Sequence, residues 1–135
     1  MRIEDKIEEI ELYLNELADI VPDSFQAYSS NFKDRAACER YFEKIILAVT
    51  DLAFLIIKEK NFKTPEEDKE SFDILNKEKV ISEDLANKLK EARGMRNIIS
   101  HQYGNVDDEV VFESLTSELE KDVLQFLENI KKTFE

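Results

Sequence analysis

The sequence predicts an all-α protein, folded as an antiparallel bundle of four to five helices. Apolar residues recur at steps of three and four through most of the chain, which is the helical period. Two glycines and two prolines leave little for the tight turns that a β protein needs. The 135 residues are 42% hydrophobic and show no internal repeat or linker. We therefore expect one domain, residues 1–135, with one core.

The first predicted helix carries an apolar stripe and ends before Pro22, because a proline disfavours α conformation in the residue preceding it. Its stripe consists of Ile3, Ile7, Ile10, Leu14, Leu17 and Val21. Residues 22–34 are predicted to be a connection with a short turn near Phe25 and Tyr28.

The second predicted helix, from about Asp34 to Lys60, is the longest and is apolar on two faces. One face has Phe42, Ile45, Ile46, Val49, Leu52, Ala53, Ile56 and Ile57, and the other has Leu47, Ala48, Phe54 and Leu55. A helix that is apolar nearly all round is usually buried on both sides. In so small a domain this indicates either a central position or an oligomer interface. We favour the interface and therefore expect a homodimer. Asp51, on the second face, is either a solvated acid near Lys44 and Lys58 or a partner of Arg93 or Arg96.

Helix starts can be predicted in the second half of the chain. Thr64 is a candidate N-cap with Pro65 in the first helical position, for a short helix through Leu75. Ser82 is predicted to cap the next helix. After Gly104-Asn105, either Asp107 or Asp108 is predicted to cap the last helix, which continues to the C-terminus.

Polar side chains concentrate in residues 93–103, at the end of a helix whose apolar stripe is Leu85, Leu89, Ala92, Met95 and Ile99. Arg96 falls inside this stripe, where a guanidinium is costly unless an anionic or polar group meets it. Arg93, Asn97 and His101 are four residues apart and share another face. A structural interpretation stays open, because histidine near a helix C-terminus complements the macrodipole and arginine can lie along apolar surface.

Charge and composition restrict the chemistry. The formal net charge of −12 disfavours an extended surface for binding nucleic acid. The region from Lys79 to Tyr103 is locally basic and fits a small phosphate site. The acidic remainder of the protein also fits the docking of a basic protein partner. With one histidine and one cysteine, Cys38, no zinc set can be assembled, so we expect no metal and no cofactor. A single cysteine and no apolar run of about 18 residues favour a cytoplasmic protein without membrane contact.

Metal-independent acid–base chemistry on an RNA phosphate remains available. His101 would transfer the proton, since an unperturbed imidazole titrates near neutral pH. Arg96 would hold the phosphate, and Asn97 would orient the substrate or the imidazole. One histidine per chain leaves the acid–base pair incomplete, and a symmetric dimer would supply the second.

The spacing of Arg96, His101 and Tyr103 resembles the Arg-x4-His-x-Tyr signature of HepT-like toxins in the HEPN superfamily, and residues 95–107 are similar to that family throughout. The resemblance implies an all-α homodimer with both motifs facing one cleft, acting as a ribonuclease toxin. It also implies an MntA-type nucleotidyltransferase antitoxin as partner, which attaches AMP to the motif tyrosine, here Tyr103.

Two other functions stay open. The same fold could be a non-catalytic nucleotide- or partner-binding HEPN subunit of a nucleotidyltransferase, with Arg96 and His101 holding a ligand phosphate. It could also be a structural dimer in which Arg96 is paired internally.

Overall fold

The computed structural model describes residues 2–101 and 107–134, without the side chains of Ser100 and His101. The helices are α1 (Ile3–Ile20), α2 (Phe25–Ser30), α3 (Phe32–Glu59), α4 (Asp68–Lys77), α5 (Glu83–His101), α6 (Asp108–Glu113) and α7 (Leu119–Thr133). A π-helical turn, Ser114–Glu118, joins α6 to α7 in one continuous rod. The part of the chain so described contains no β-strand, and the all-α prediction is confirmed.

The long helices α1 and α3 run antiparallel, as the contacts along their length show. Lys6, near the start of α1, lies 3.7 Å from the carboxylate of Asp51 late in α3. One to two turns further along α1, the ring of Tyr13 meets the ring of Tyr41, which lies earlier in α3, with centroids 6.4 Å apart. Residues further along α1 therefore contact residues earlier in α3, so the two helices are antiparallel, as predicted for the bundle.

Helix α3 lies at the centre of the core and contacts α1, α2, α4 and α5. Its predicted inner face is buried throughout, from Phe42 to Ile57. Phe72 of α4 and Phe126 of α7 close the core with an edge-to-face contact, centroids 6.2 Å apart, and both are fully buried. Cys38 is also buried, and this desolvation raises the pKa of its thiol to about 11, which makes it an unreactive thiol.

The second apolar face of α3 is only partly covered within one chain. Ala48 is buried, Phe54 and Leu55 are half-buried, and Leu47 is exposed. An apolar face of this kind is what a second protomer could cover. The homodimer stays a prediction.

Two predicted boundaries were wrong. Within residues 22–34, the short turn expected near Phe25 and Tyr28 is the helix α2, which starts where Ser24 Oγ accepts the Ala27 N–H at 3.1 Å. Asn31 then caps α3, its Oδ1 accepting the N–H groups of Lys33 and Asp34. Ser24 and Asn31 are therefore N-caps, and α3 begins at Phe32, two residues before the start expected at about Asp34.

The Thr64-Pro65 start was also wrong, since α4 begins at Asp68 with Glu67 as N-cap. Pro65 is buried ahead of the helix, and the Glu66 N–H donates to Glu70 Oε2 at 3.0 Å. The glutamate that accepts a backbone N–H ahead of the helix is thus Glu70.

The predicted caps of the two later helices are confirmed. Ser82 Oγ accepts the Leu85 N–H at 3.1 Å at the start of α5. Asp107 Oδ1 accepts the N–H groups of Glu109 and Val110 at the start of α6, which selects Asp107 over Asp108. Nowhere in the described ranges is a helix long and apolar enough to cross a lipid bilayer.

Candidate functional site

Helix α5 positions the candidate site residues, and its apolar stripe anchors it to the core. Leu85, Leu89 and Ile99 are buried, and Met95 is partly buried against the same cluster. Arg96 lies on this side as predicted: its residue is half-buried and its Nε is fully buried. An arginine can lie in this way with its aliphatic stem along apolar surface and its terminal nitrogens toward solvent.

Arg93 is enclosed by polar partners from two helices. Its Nη1 donates to Asn97 Oδ1 at 3.0 Å, one turn along α5. Its Nη2 donates to the carboxylate of Asp68, the first residue of α4. The Arg93 side chain is only 11% exposed, against 47% for Asp68. The charge of Arg93 is therefore compensated by a carboxylate from the neighbouring helix.

Arg96 differs from Arg93 in its partners. Its Nη1 donates to the same Asn97 Oδ1 at 3.4 Å. Among the side chains that the structure describes, no carboxylate forms an ion pair with it. Arg96 thus keeps an uncompensated positive charge in that environment, which suits it to bind an anionic ligand.

The locally basic character predicted from Lys79 to Tyr103 is largely neutralised in the fold. Lys90 Nζ pairs with Asp73 of α4 at 2.8 Å, and Lys88 Nζ pairs with Asp84 at 3.1 Å. Helix α4 also brings Lys69, whose ammonium group lies beside Gly94 of α5. The positive charge at the site is therefore confined to a few groups, chiefly Arg96 and Lys69.

Asp51 is not the partner of either arginine. It pairs with Lys6 of α1 at 3.7 Å, and its side chain is 52% exposed. The solvated-acid interpretation is the correct one, although the lysine differs from those expected. The acid that contacts Arg93 is Asp68, which sequence reasoning missed because the pair is 25 residues apart.

The other motif residues fall at or beyond the end of the described part. The backbone of His101 ends α5, but its side chain lies outside the described residues. Tyr103 lies entirely outside them. That Arg96 and His101 act on one phosphate therefore stays a prediction. What the described residues bring together is one compensated guanidinium, one uncompensated guanidinium and an exposed amide.

Two cavities in the fold do not coincide with the candidate site around Arg93, Arg96 and Asn97. A cavity of about 850 Å³ lies between the start of α1, the end of α3 and the end of α7, and Ile7, Leu55 and Phe134 contribute to its walls. A second cavity of about 60 Å³ lies between α5 and the π-helical turn. Neither is lined by Arg93, Arg96 or Asn97. Across the described residues, no group of three His, Cys, Asp or Glu could hold a metal ion.

Comparison with known proteins gives consistent matches. Residues 3–130 match the family described as Ribonuclease HepT-like. A tRNA nuclease HepT from Aphanizomenon flos-aquae is 27% identical over 119 residues, which are 88% of this chain and 81% of that protein. An mRNA nuclease HepT from Shewanella oneidensis is 31% identical over 84 residues, 62% of each chain.

Similarity extends to solved structures. A tri-AMPylated Shewanella oneidensis HEPN toxin, solved in complex with its MNT antitoxin, superposes with a TM-score of 0.90 at 25% sequence identity. The superposition covers 98% of this chain and 99% of that one. The helical arrangement is therefore shared over essentially the whole length.

Proposed function

Because this chain belongs to the HepT-like ribonuclease family, we propose that it is the RNA-cleaving toxin of a toxin–antitoxin pair. The observation that carries the proposal is Arg96, a guanidinium with no described carboxylate partner, five residues before the single histidine. The tRNA and mRNA nucleases among the relatives support RNA as the substrate.

The proposed reaction is transesterification at an RNA phosphate. The 2′-hydroxyl attacks the adjacent phosphorus, the bond to the 5′-oxygen breaks, and a 2′,3′-cyclic phosphate and a 5′-hydroxyl form. His101 removes the 2′-hydroxyl proton, and a second imidazole returns a proton to the leaving 5′-oxygen. Arg96 binds the non-bridging oxygens, where negative charge develops in the transition state. These groups account for both protons and for the charge without a metal ion.

The second imidazole is proposed to come from His101 of another copy of the chain. Each chain has one histidine, and the apolar face of α3 that includes Leu47 is available for such a contact. Light scattering on the purified protein is then expected to give about twice the chain mass of 15.8 kDa.

The test of this function is incubation of the purified protein with a tRNA and mRNA mixture in EDTA. We expect cleavage that is insensitive to the chelator and absent from an oligonucleotide with 2′-deoxyribose throughout, because the attacking hydroxyl is then missing. A His101→Ala preparation purified alongside controls for contaminating nucleases. If the wild-type protein does not cleave RNA but binds nucleotides, the chain is instead a non-catalytic nucleotide- or partner-binding subunit.

We also propose that an MntA-type nucleotidyltransferase is the partner, and that it transfers AMP to Tyr103. The AMPylated toxin–antitoxin complex among the similar structures supports this proposal. An anionic adenylyl group two residues from His101 would repel RNA phosphate. After incubation with a cognate nucleotidyltransferase and ATP, mass spectrometry is expected to place the adenylyl mass on the peptide with Tyr103. A Tyr103→Phe chain should stay unmodified, and modification of that variant would contradict the assignment.

A further inference from the structure

The described part of the site contains a continuous hydrogen-bond network from α4 to α5, formed by Asp68, Arg93, Asn97 and Arg96. We infer that Asp68 is a positioning residue: through Arg93 it fixes the Asn97 amide so that the Nδ2 donors face the substrate phosphate. The inference rests on the proposed function and adds a residue that the Arg-x4-His-x-Tyr motif does not contain.

The first step is that Arg93 does not act as a ligand for phosphate. Its two terminal nitrogens already donate, one to Asp68 and one to Asn97. The side chain is 11% exposed, so an incoming anion would have to displace a carboxylate to reach it. Arg93 therefore links Asp68 to Asn97 by hydrogen bonds, and Arg96 is the guanidinium that binds the phosphate.

The second step fixes the orientation of the Asn97 amide. A guanidinium can only donate hydrogen bonds, so the Asn97 atom that faces Arg93 and Arg96 must be the oxygen. With Oδ1 held by two donors, at 3.0 and 3.4 Å, Nδ2 points away from both arginines. Asn97 is exposed, and its Nδ2 has no hydrogen-bond partner among the described residues. Two N–H groups beside the uncompensated Arg96 are suited to a non-bridging phosphate oxygen.

The third step is that Asp68 controls this orientation. Asp68→Asn keeps an oxygen acceptor but loses the carboxylate charge, so the pair that holds the far side of Arg93 is weakened and Nη1 is no longer fixed at Asn97. The amide can then rotate and present Oδ1 to the phosphate, which repels an anion. Because the chain of contacts starts on α4, the site depends on how α4 packs against α5.

The fold offers a matched control in Asp73. It also lies on α4, also forms an ion pair with a cation of α5, Lys90, and is similarly exposed, 55% against 47% for Asp68. The structure shows no hydrogen bond from Lys90 to Asn97. Asp73→Asn therefore removes an equivalent α4–α5 pair without touching the network.

The experiment compares RNA cleavage in EDTA by wild type, Asp68→Asn and Asp73→Asn, with melting temperatures measured for all three. We expect Asp68→Asn to lower the rate by about 10- to 100-fold, because misplaced substrate contacts are costly to catalysis. Asp73→Asn should cleave at the wild-type rate and melt at the same temperature as Asp68→Asn. In an Asn97→Ala background, Asp68→Asn should have no further effect, since the two residues act through one contact. Equal losses for both variants, or additive losses with Asn97→Ala, would overturn the inference.

A second readout does not depend on cleavage. In a 15N-correlated NMR spectrum, the two Nδ2 proton signals of Asn97 are identified by their disappearance in Asn97→Ala. They are expected to shift and broaden in Asp68→Asn and to stay in place in Asp73→Asn. If wild type cleaves no RNA, the proposed function fails while this comparison still decides the role of Asp68. Unchanged Asn97 signals in Asp68→Asn would contradict the positioning role of Asp68.

Discussion

The Arg96→Ala variant is expected to cleave RNA about 10²- to 10³-fold more slowly than wild type, which is the usual loss when one donor to transition-state charge is removed. Arg96 has no described carboxylate partner, and its Nε is buried without a hydrogen-bond partner among the described residues. Its positive charge is therefore available to a phosphate. The measurement is the initial rate of RNA cleavage in EDTA at saturating and subsaturating RNA.

Four further variants test how this result is interpreted. Arg96→Lys keeps the charge but loses the planar fork, so we expect a rate between those of Arg96→Ala and wild type. Lys90→Ala removes another α5 cation, one already paired with Asp73, and is expected to leave the rate unchanged. His101→Ala should be as impaired as Arg96→Ala, and the double variant little worse, because residues acting as a unit are not additive. An Arg96→Ala protein that cleaves at the wild-type rate would exclude Arg96 from catalysis.

The Phe126→Ala variant is expected to lose about 3–5 kcal/mol of unfolding free energy, as is usual when a buried phenylalanine is truncated. Phe126 is fully buried, and its ring contacts the edge of Phe72, which comes from a different part of the bundle. The substitution removes both the buried apolar area and the aromatic contact, and it leaves a cavity where α4 and α7 meet. Urea denaturation followed by circular dichroism measures the change.

Phe32→Ala is the matched control, because it deletes the same atoms from a side chain that is 68% exposed. We expect its unfolding free energy to change by about 0.5 kcal/mol or less, as for most surface substitutions. The two variants share the same chemical change, so the difference between them reports burial alone. If both lose the same stability, the central position of Phe126 is wrong.

The amphipathic helices could be predicted from the sequence because their signal is local. The stripe of α1 is confirmed from Ile7 to Leu17, and that of α5 at Leu85, Leu89 and Ile99. The half-buried place of Arg96 follows from the same period, as does the contact between Arg93 and Asn97, four residues apart. Caps such as Asp107 are also local, since a cap side chain bonds a backbone N–H two or three residues ahead.

Only the tertiary structure decided which charges meet. Asp68 and Arg93 lie 25 residues apart, and no spacing rule pairs them. Asp51, expected near Lys44 and Lys58 or beside an arginine, instead meets Lys6 of the antiparallel α1. Pro65, predicted to be the first residue of α4, is instead buried ahead of that helix.

The physical reason is the range of the interactions. Helical periodicity and capping act within about one turn, so the sequence alone determined that the chain is helical and that Arg96 lies on the core side of its helix. An ion pair between helices depends on their packing register, which the whole core sets. Packing, not spacing, neutralised Arg93 and left Arg96 with its charge among the described residues.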